Sequence, residues 1–203
     1  MYISAENISK RYDTGWIIKD FNLELKSGSK LAVMGPNGSG KSTLISMLAS
    51  YLSPSKGDIV YRLNNESIER DKLYQYLSIC TAYGELDEEL TALEIFKHYK
   101  IFKPYIIEDP KTFIELSDLT KHRNKAIRDY SSGMKQRLKL ALAILMDVPF
   151  LVLDEPSSFL DNDRKKWFHN LLQEFCSSKT MIMASNDESD FQLCTEKIVL
   201  EAI

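Results

Sequence analysis

Apolar and polar positions change their period several times along the 203 residues. Tyr2 to Ile8 and Ile17 to Leu25 alternate, which predicts strands of an antiparallel edge. Lys30 to Met34 is a short apolar run that stops at Gly35, the pattern of a strand buried on both faces. From Ser42 the apolar residues Leu44, Ile45, Leu48, Ala49 and Leu52 fall at helical spacing until Ser53-Pro54 closes the stretch. Alternation returns at Ile59, Tyr61 and Leu63, and Leu77 to Cys80 reads as another short strand. An acidic, turn-like connection follows. Thr91 and Glu94 then have the spacing of a capping box for a helix through about Phe102. Pro110 suits the first turn of another helix ending near Ser117, and Lys121 to Arg128 form a basic loop. Ser131 to Met146 is strongly helical and is closed by Pro149. Phe150 to Leu153 and Thr180 to Ala184 read as buried strands with a helix over Arg164 to Phe175 between them, and Lys197 to Leu200 is the last strand. Strands alternating with helices predict an α/β fold containing parallel strands. The helix-rich stretch over about residues 83–146 predicts a helical subdomain inserted into that core, with the whole chain, 1–203, forming one domain.

Composition narrows the class without naming a function. Hydrophobic residues make up 44% and charged residues 27%, as in soluble globular proteins. Lys+Arg 26 against Asp+Glu 29 gives a net charge of -3, which argues against a dedicated nucleic-acid partner. Cys80, Cys176 and Cys194 are widely spaced and match no metal-ligand pattern, which suits a reducing compartment. No signal-peptide pattern opens the chain, and no apolar run approaches the ~20 residues that span a bilayer. These features predict a cytoplasmic chain that does not cross the membrane.

Half of the glycines stand in two places, three within residues 35–40 and one at 133. Gly35, Pro36, Asn37, Gly38, Ser39, Gly40, Lys41 and Ser42 satisfy G-x-x-x-x-G-K-[ST] in full, between a predicted buried strand and a predicted helix. Such glycines let backbone N–H groups curl around a phosphate, and the helix N-terminus adds its positive dipole end. Lys41 is placed to reach the β- and γ-phosphates, and the Ser42 hydroxyl to ligate Mg²⁺. Phe150-Leu151-Val152-Leu153-Asp154-Glu155 is an apolar strand running out into two carboxylates, at the edge where α/β folds bind ligands. Asp154 is expected to hold Mg²⁺ through water, and Glu155 to polarise an attacking water.

With these motifs in place the chain resembles the nucleotide-binding subunits of ABC transporters, along essentially its whole length. The family signature, usually Leu-Ser-Gly-Gly-Gln, stands here as Tyr130-Ser131-Ser132-Gly133-Met134, followed by Lys135-Gln136-Arg137-Leu138. The resemblance implies a P-loop NTPase core with a mixed sheet, an antiparallel β edge and the inserted helical subdomain. It also implies two subunits, identical or different, closing head-to-tail around two ATP molecules. Thr43 then joins the phosphate loop, Tyr12 stacks on adenine, and Ser131, Ser132, Gly133 and Asp161 act in trans on nucleotide held by the other subunit. ATP binding closes such a dimer and hydrolysis reopens it. The helical insert grips a separate transmembrane subunit, which places the chain peripherally on the inner face of the cell membrane.

Two positions depart from the family. A glutamine that helps ligate Mg²⁺ is expected where this chain has Ala82, and a histidine on the γ-phosphate where it has Asn186. Alanine offers no oxygen, while an asparagine amide still donates a hydrogen bond but takes no proton. Losing one preorganised donor costs roughly 10²–10³ in rate, so the expectation is slow hydrolysis rather than none. His98, His122 and His169 stand at no matching place and read as surface residues. Three function classes remain open: an ATPase subunit of a transporter, with exporter-like features around Met134 to Arg137; a soluble ABC ATPase outside transport; and an ATP-gated switch that scarcely hydrolyses. Cargo is chosen by the other chain and leaves no trace here.

Overall fold

The computed structural model describes residues 1–13, 15–81 and 84–201. The two alternating segments near the N-terminus form β1 (Tyr2–Tyr12) and β2 (Gly15–Leu25). The alternation around Tyr61 forms β4 (Lys56–Leu63), and a short β5 (Glu66–Ile68) follows it. These four make an antiparallel sheet in the order β2-β1-β4-β5. The apolar runs become β3 (Lys30–Met34), β6 (Leu77–Thr81), β7 (Phe150–Asp154) and β8 (Thr180–Ala184). With β9 (Glu196–Val199) they form a second sheet, all parallel, in the order β6-β7-β8-β3-β9. The continuous hydrophobicity of β3, β7 and β8 follows from being covered on both faces, whereas β9 at the edge is largely exposed.

Side chains from successive residues of the parallel strands enter two different cores. Leu31, Val33, Phe150, Val152, Ile182 and Ala184 pack with α1 (Lys41–Leu48) and the inner face of the antiparallel sheet. Ala32, Leu151, Leu153, Met181 and Met183 point the other way. They meet α2 (Ala92–Phe102), α3 (Pro110–Leu116), α4 (Ser132–Ile144) and α5 (Asn162–Phe175). Phe96 of α2 anchors this second core. Its ring stacks on Phe113 of α3 at 4.1 Å and meets Tyr105 edge-on at 5.0 Å. Such pairs are worth about 0.5–1.5 kcal/mol beyond the area they bury.

The predicted capping box is formed. The Glu94 N–H donates to Thr91 Oγ1 at 3.3 Å, and the Thr91 N–H donates to Glu94 Oε2 at 2.8 Å. Asp109, Ser131 and Asp161 cap α3, α4 and α5 through their side-chain oxygens. Helix α1 stops at Leu48 rather than continuing to Leu52, because Ser50 turns into the left-handed region at φ 67°. The basic loop contains two short 3₁₀ turns, Thr120–His122 and Ile127–Asp129, tied down by the buried Ile127. His122 and His169 are half-buried rather than surface residues.

Candidate nucleotide site

β3 ends at Met34, and Gly35 follows with φ 145°. A Cβ on Gly35 would stand 2.4 Å from the Leu200 carbonyl oxygen and 2.7 Å from Ser39 Oγ, so both the backbone angle and the space require glycine. Gly40 is the N-cap of α1 in the left-handed region, and that helix start carries no side-chain cap. A helix beginning this way leaves first-turn N–H groups for an anion.

Lys41 is buried although charged, and its Nζ donates to Gly35 O at 2.8 Å, Pro36 O at 3.2 Å and Asn186 Oδ1 at 2.9 Å. Asn186 turns its amide the other way. Its Nδ2 donates to Glu155 Oε1 at 2.8 Å and to Asn37 Oδ1 at 2.7 Å. One asparagine therefore links the lysine, the glutamate and the glycine-rich loop. Glu155 follows β7 with φ 51°, an uncommon left-handed conformation for a side chain of its size, and its N–H is held by Ala184 O at 2.8 Å. Burial pushes its carboxyl above the usual carboxylate range, opposed by hydrogen bonding from Asn186 and by the charge of Lys41. Burial likewise raises Asp154, against hydrogen bonding from Ser42 and the charge of Lys41.

Tyr12, Ile17, Asn37, Gly38, Gly40, Lys41, Ser42, Thr43, Glu155, Ser158 and Asn186 line one cleft of about 680 Å³. Ile17 and Ser158 are additions that the sequence did not single out. Tyr12 is 45% exposed, and Lys10 Nζ sits 5.3 Å from its ring centroid. Ser131, Ser132, Gly133 and Asp161 do not line this cleft. They cluster instead around the start of α4 and the segment after Glu155: a Cβ on Gly133 would stand 2.9 Å from Phe159 O, and Gln136 Nε2 donates to Pro156 O at 2.8 Å. Ala82, the other departure from the family, lies outside the described residues.

The fit to a divalent cation rests on Ser42 and Asp154. Asp154 Oδ1 is buried without a hydrogen-bond partner among the described residues, beside a hydroxyl already turned toward that carboxyl. One carboxylate and one hydroxyl are the sparse oxygen set that Mg²⁺ takes when phosphates and water complete its shell. Among the described residues no group of three His, Cys, Asp or Glu could hold a metal by itself.

A glycine-rich loop between a buried parallel strand and a helix, facing carboxylates at the end of β7, one strand removed from β3 in the same sheet, defines a P-loop nucleotide-binding fold. The chain belongs to the ABC transporter family, whose model matches residues 18–158. It is similar to the lipoprotein-releasing system ATP-binding protein LolD of Leptospira interrogans, 28% identical over 96% of this chain and 86% of that protein. It is also similar to the Nod factor export ATP-binding protein I of Rhizobium johnstonii, 30% identical over 98% of this chain but only 66% of that longer protein. Among solved structures, the dimeric bacterial ABC transporter cassette MJ0796 superposes with a TM-score of 0.84 at 24% identity, covering 98% of this chain and 94% of that one. A state of the same cassette bound to ADP and Pi gives 0.82 at 23% identity, over 98% and 96%.

Proposed function

We propose that this chain binds and hydrolyses ATP to power a membrane transporter whose transmembrane subunit is a separate chain. The observation that carries this reading is the hydrogen-bonded connection Lys41–Asn186–Glu155, closed onto the loop through Asn37, inside the cleft that Tyr12 flanks. Residues 1–203 act as one ATP-binding domain, with the helices between β6 and β7 as the part that meets the transporter. Similarity to an export protein and to a lipoprotein-releasing protein supports the transport role, and export is the direction we favour. The chain would then sit on the cytoplasmic face of the membrane; no helix of the described residues is long and apolar enough to cross one.

Each residue has a definable task. Gly35 to Thr43 wrap the phosphates with backbone N–H groups, and Lys41 exchanges its three present acceptors for phosphate oxygens. Ser42 and Asp154 would hold Mg²⁺, which would neutralise phosphate charge. Glu155 orients and takes a proton from the attacking water through its carboxylate. Tyr12 offers a π face to the base, its ring steadied by the Lys10 ammonium. Ser131, Ser132, Gly133 and Asp161, outside this cleft, serve the nucleotide of a second ATP-binding subunit across a head-to-tail dimer.

Turnover of Mg²⁺-ATP by the purified chain is the direct test. Glu155→Gln is expected to lower turnover by about 100-fold or more while ATP binding persists; equal turnover would end the assignment. A second reading, a switch that binds ATP and hydrolyses it very slowly, is favoured by Asn186, which cannot be protonated where the family places a histidine. Asn186→His is expected to accelerate turnover, and no acceleration would remove that account of the departure.

A further inference from the structure

Asp190 is 1% exposed, far from the phosphate loop in sequence, and has no place in the scheme above. Its Oδ2 accepts two hydroxyl hydrogen bonds, from Ser157 Oγ at 2.9 Å and from Ser185 Oγ at 2.6 Å. Those serines belong to different strand ends. Ser157 lies two residues after Glu155 on the segment leaving β7, and Ser185 directly precedes Asn186 on the segment leaving β8. Ser185 Oγ also accepts the Asp187 N–H at 3.0 Å, and the Asp190 N–H donates to Asp187 O at 3.1 Å. Asp190 thus closes a small buried knot beneath Glu155 and Asn186. The knot stands on firm ground, because the neighbouring Phe191 is buried in the helix-side core.

A buried carboxylate with only two donors is costly unless its position matters. Its other oxygen, Oδ1, is buried and unpartnered among the described residues. Aliphatic or alanine side chains would avoid that cost but would leave two buried hydroxyls without their acceptor and free the two segments to move apart. We propose that Asp190 is a positioning residue for hydrolysis: by bracketing Ser157 and Ser185 it holds the Glu155 carboxylate and the Asn186 amide at their 2.8 Å contact. This rests on the reading of Glu155 as the group that prepares the attacking water. Asp190 does not line the nucleotide cleft and works through the two serines. Misplacing a reactive group by about 1 Å can cost on the order of 10²-fold, so a residue that sets this spacing acts on turnover before it acts on binding.

The test uses the full chain with Asp190→Ala, Asp190→Asn, Ser157→Ala and Ser185→Ala. Turnover of Mg²⁺-ATP, affinity for a fluorescent ATP analogue, melting temperature and amide hydrogen exchange are measured for each. Asp190→Ala is expected to lower turnover about tenfold with affinity changed by less than about twofold. Exchange should quicken in both segments, 155–159 and 185–187, together. Asp190→Asn keeps an acceptor oxygen for both serines and is expected to restore turnover and slow exchange, which a requirement for charge or general stability alone would not do. The serine variants each remove one hydroxyl donor to Asp190, and each should loosen both segments in part. Unchanged exchange in the two segments, an increase spread evenly over the molecule, or failure of the asparagine variant to rescue would each overturn the proposal. If Glu155→Gln leaves turnover untouched, the ATPase reading fails, and the exchange of the paired segments still decides whether Asp190 brackets them.

Discussion

Burial lifts the Glu155 carboxyl above the ordinary glutamate range, so its titration becomes a signature of its work. A water-orienting carboxylate acts ionised, and turnover should fall as pH drops through this raised value, at higher pH than a free glutamate at about 4.3 would give. The sign for folding runs the other way from a salt-bridged acid. A carboxyl whose folded pKa lies above its unfolded one resists ionisation in the fold, so it withdraws stability as pH rises from the unfolded value through the folded one. The melting temperature of Glu155→Gln should therefore exceed that of the native chain by more at pH 8 than at pH 4; a constant gap would show that the environment does not shift the carboxyl. At this scale the phosphate loop was fully legible in the sequence, since glycine spacing and a Lys-Ser pair are local. The Asn186 bridge was not. Asn186 could be placed by its strand, but its simultaneous contacts to Lys41, Asn37 and Glu155 join residues up to 149 positions apart, and no local pattern encodes them. Asp190 escaped for the same reason: its partners Ser157 and Ser185 come from two different strand ends, and only the fold brings them to it.

The helices illustrate how far local rules carry at the level of elements. The capping box of α2 was read from Thr91 and Glu94 alone and is formed with both reciprocal hydrogen bonds. Thr91→Ala is expected to cost about 1 kcal/mol, measurable by denaturant unfolding, and Glu94→Gln far less because an amide oxygen can still accept the Thr91 N–H. An equal loss for both would mean that charge near the helix start, rather than the hydrogen bond, is what matters. Strand type was legible for a comparable reason at six strands: continuous apolar runs marked β3, β7 and β8 as buried parallel strands, and alternation marked β1, β2 and β4. The short β5 and the 3₁₀ turns were not predicted, since three to six residues leave too few positions for a period to emerge.

For the molecule as a whole, the arrangement of the α4 start, Asp161 and the exposed Phe159 outside the nucleotide cleft gives a testable expectation. If these residues serve a second subunit, the Glu155→Gln chain, expected to bind ATP without consuming it, should double its mass in light scattering when ATP is added and return to monomer when ATP is removed. A chain that stays monomeric at saturating ATP would show that it closes only with a different partner subunit or does not close at all. The sequence could name the signature for such a contact by resemblance; it could not show where the signature lies relative to the cleft, which depends on the packing of α4 against Pro156 and Phe159.

The parallel sheet also separates two interiors. Leu31, Val33, Phe150, Val152 and Ile182 serve the side with α1, while Ala32, Leu151, Leu153, Met181 and Met183 serve the side with the remaining helices. Mutations on the helical side reach the phosphate loop through the shared strand backbones, while those on the other side alter the core that holds α1. The sheet is thus a partition wall, and a change of volume on one face is felt on the other only through the strand backbones that the two faces share.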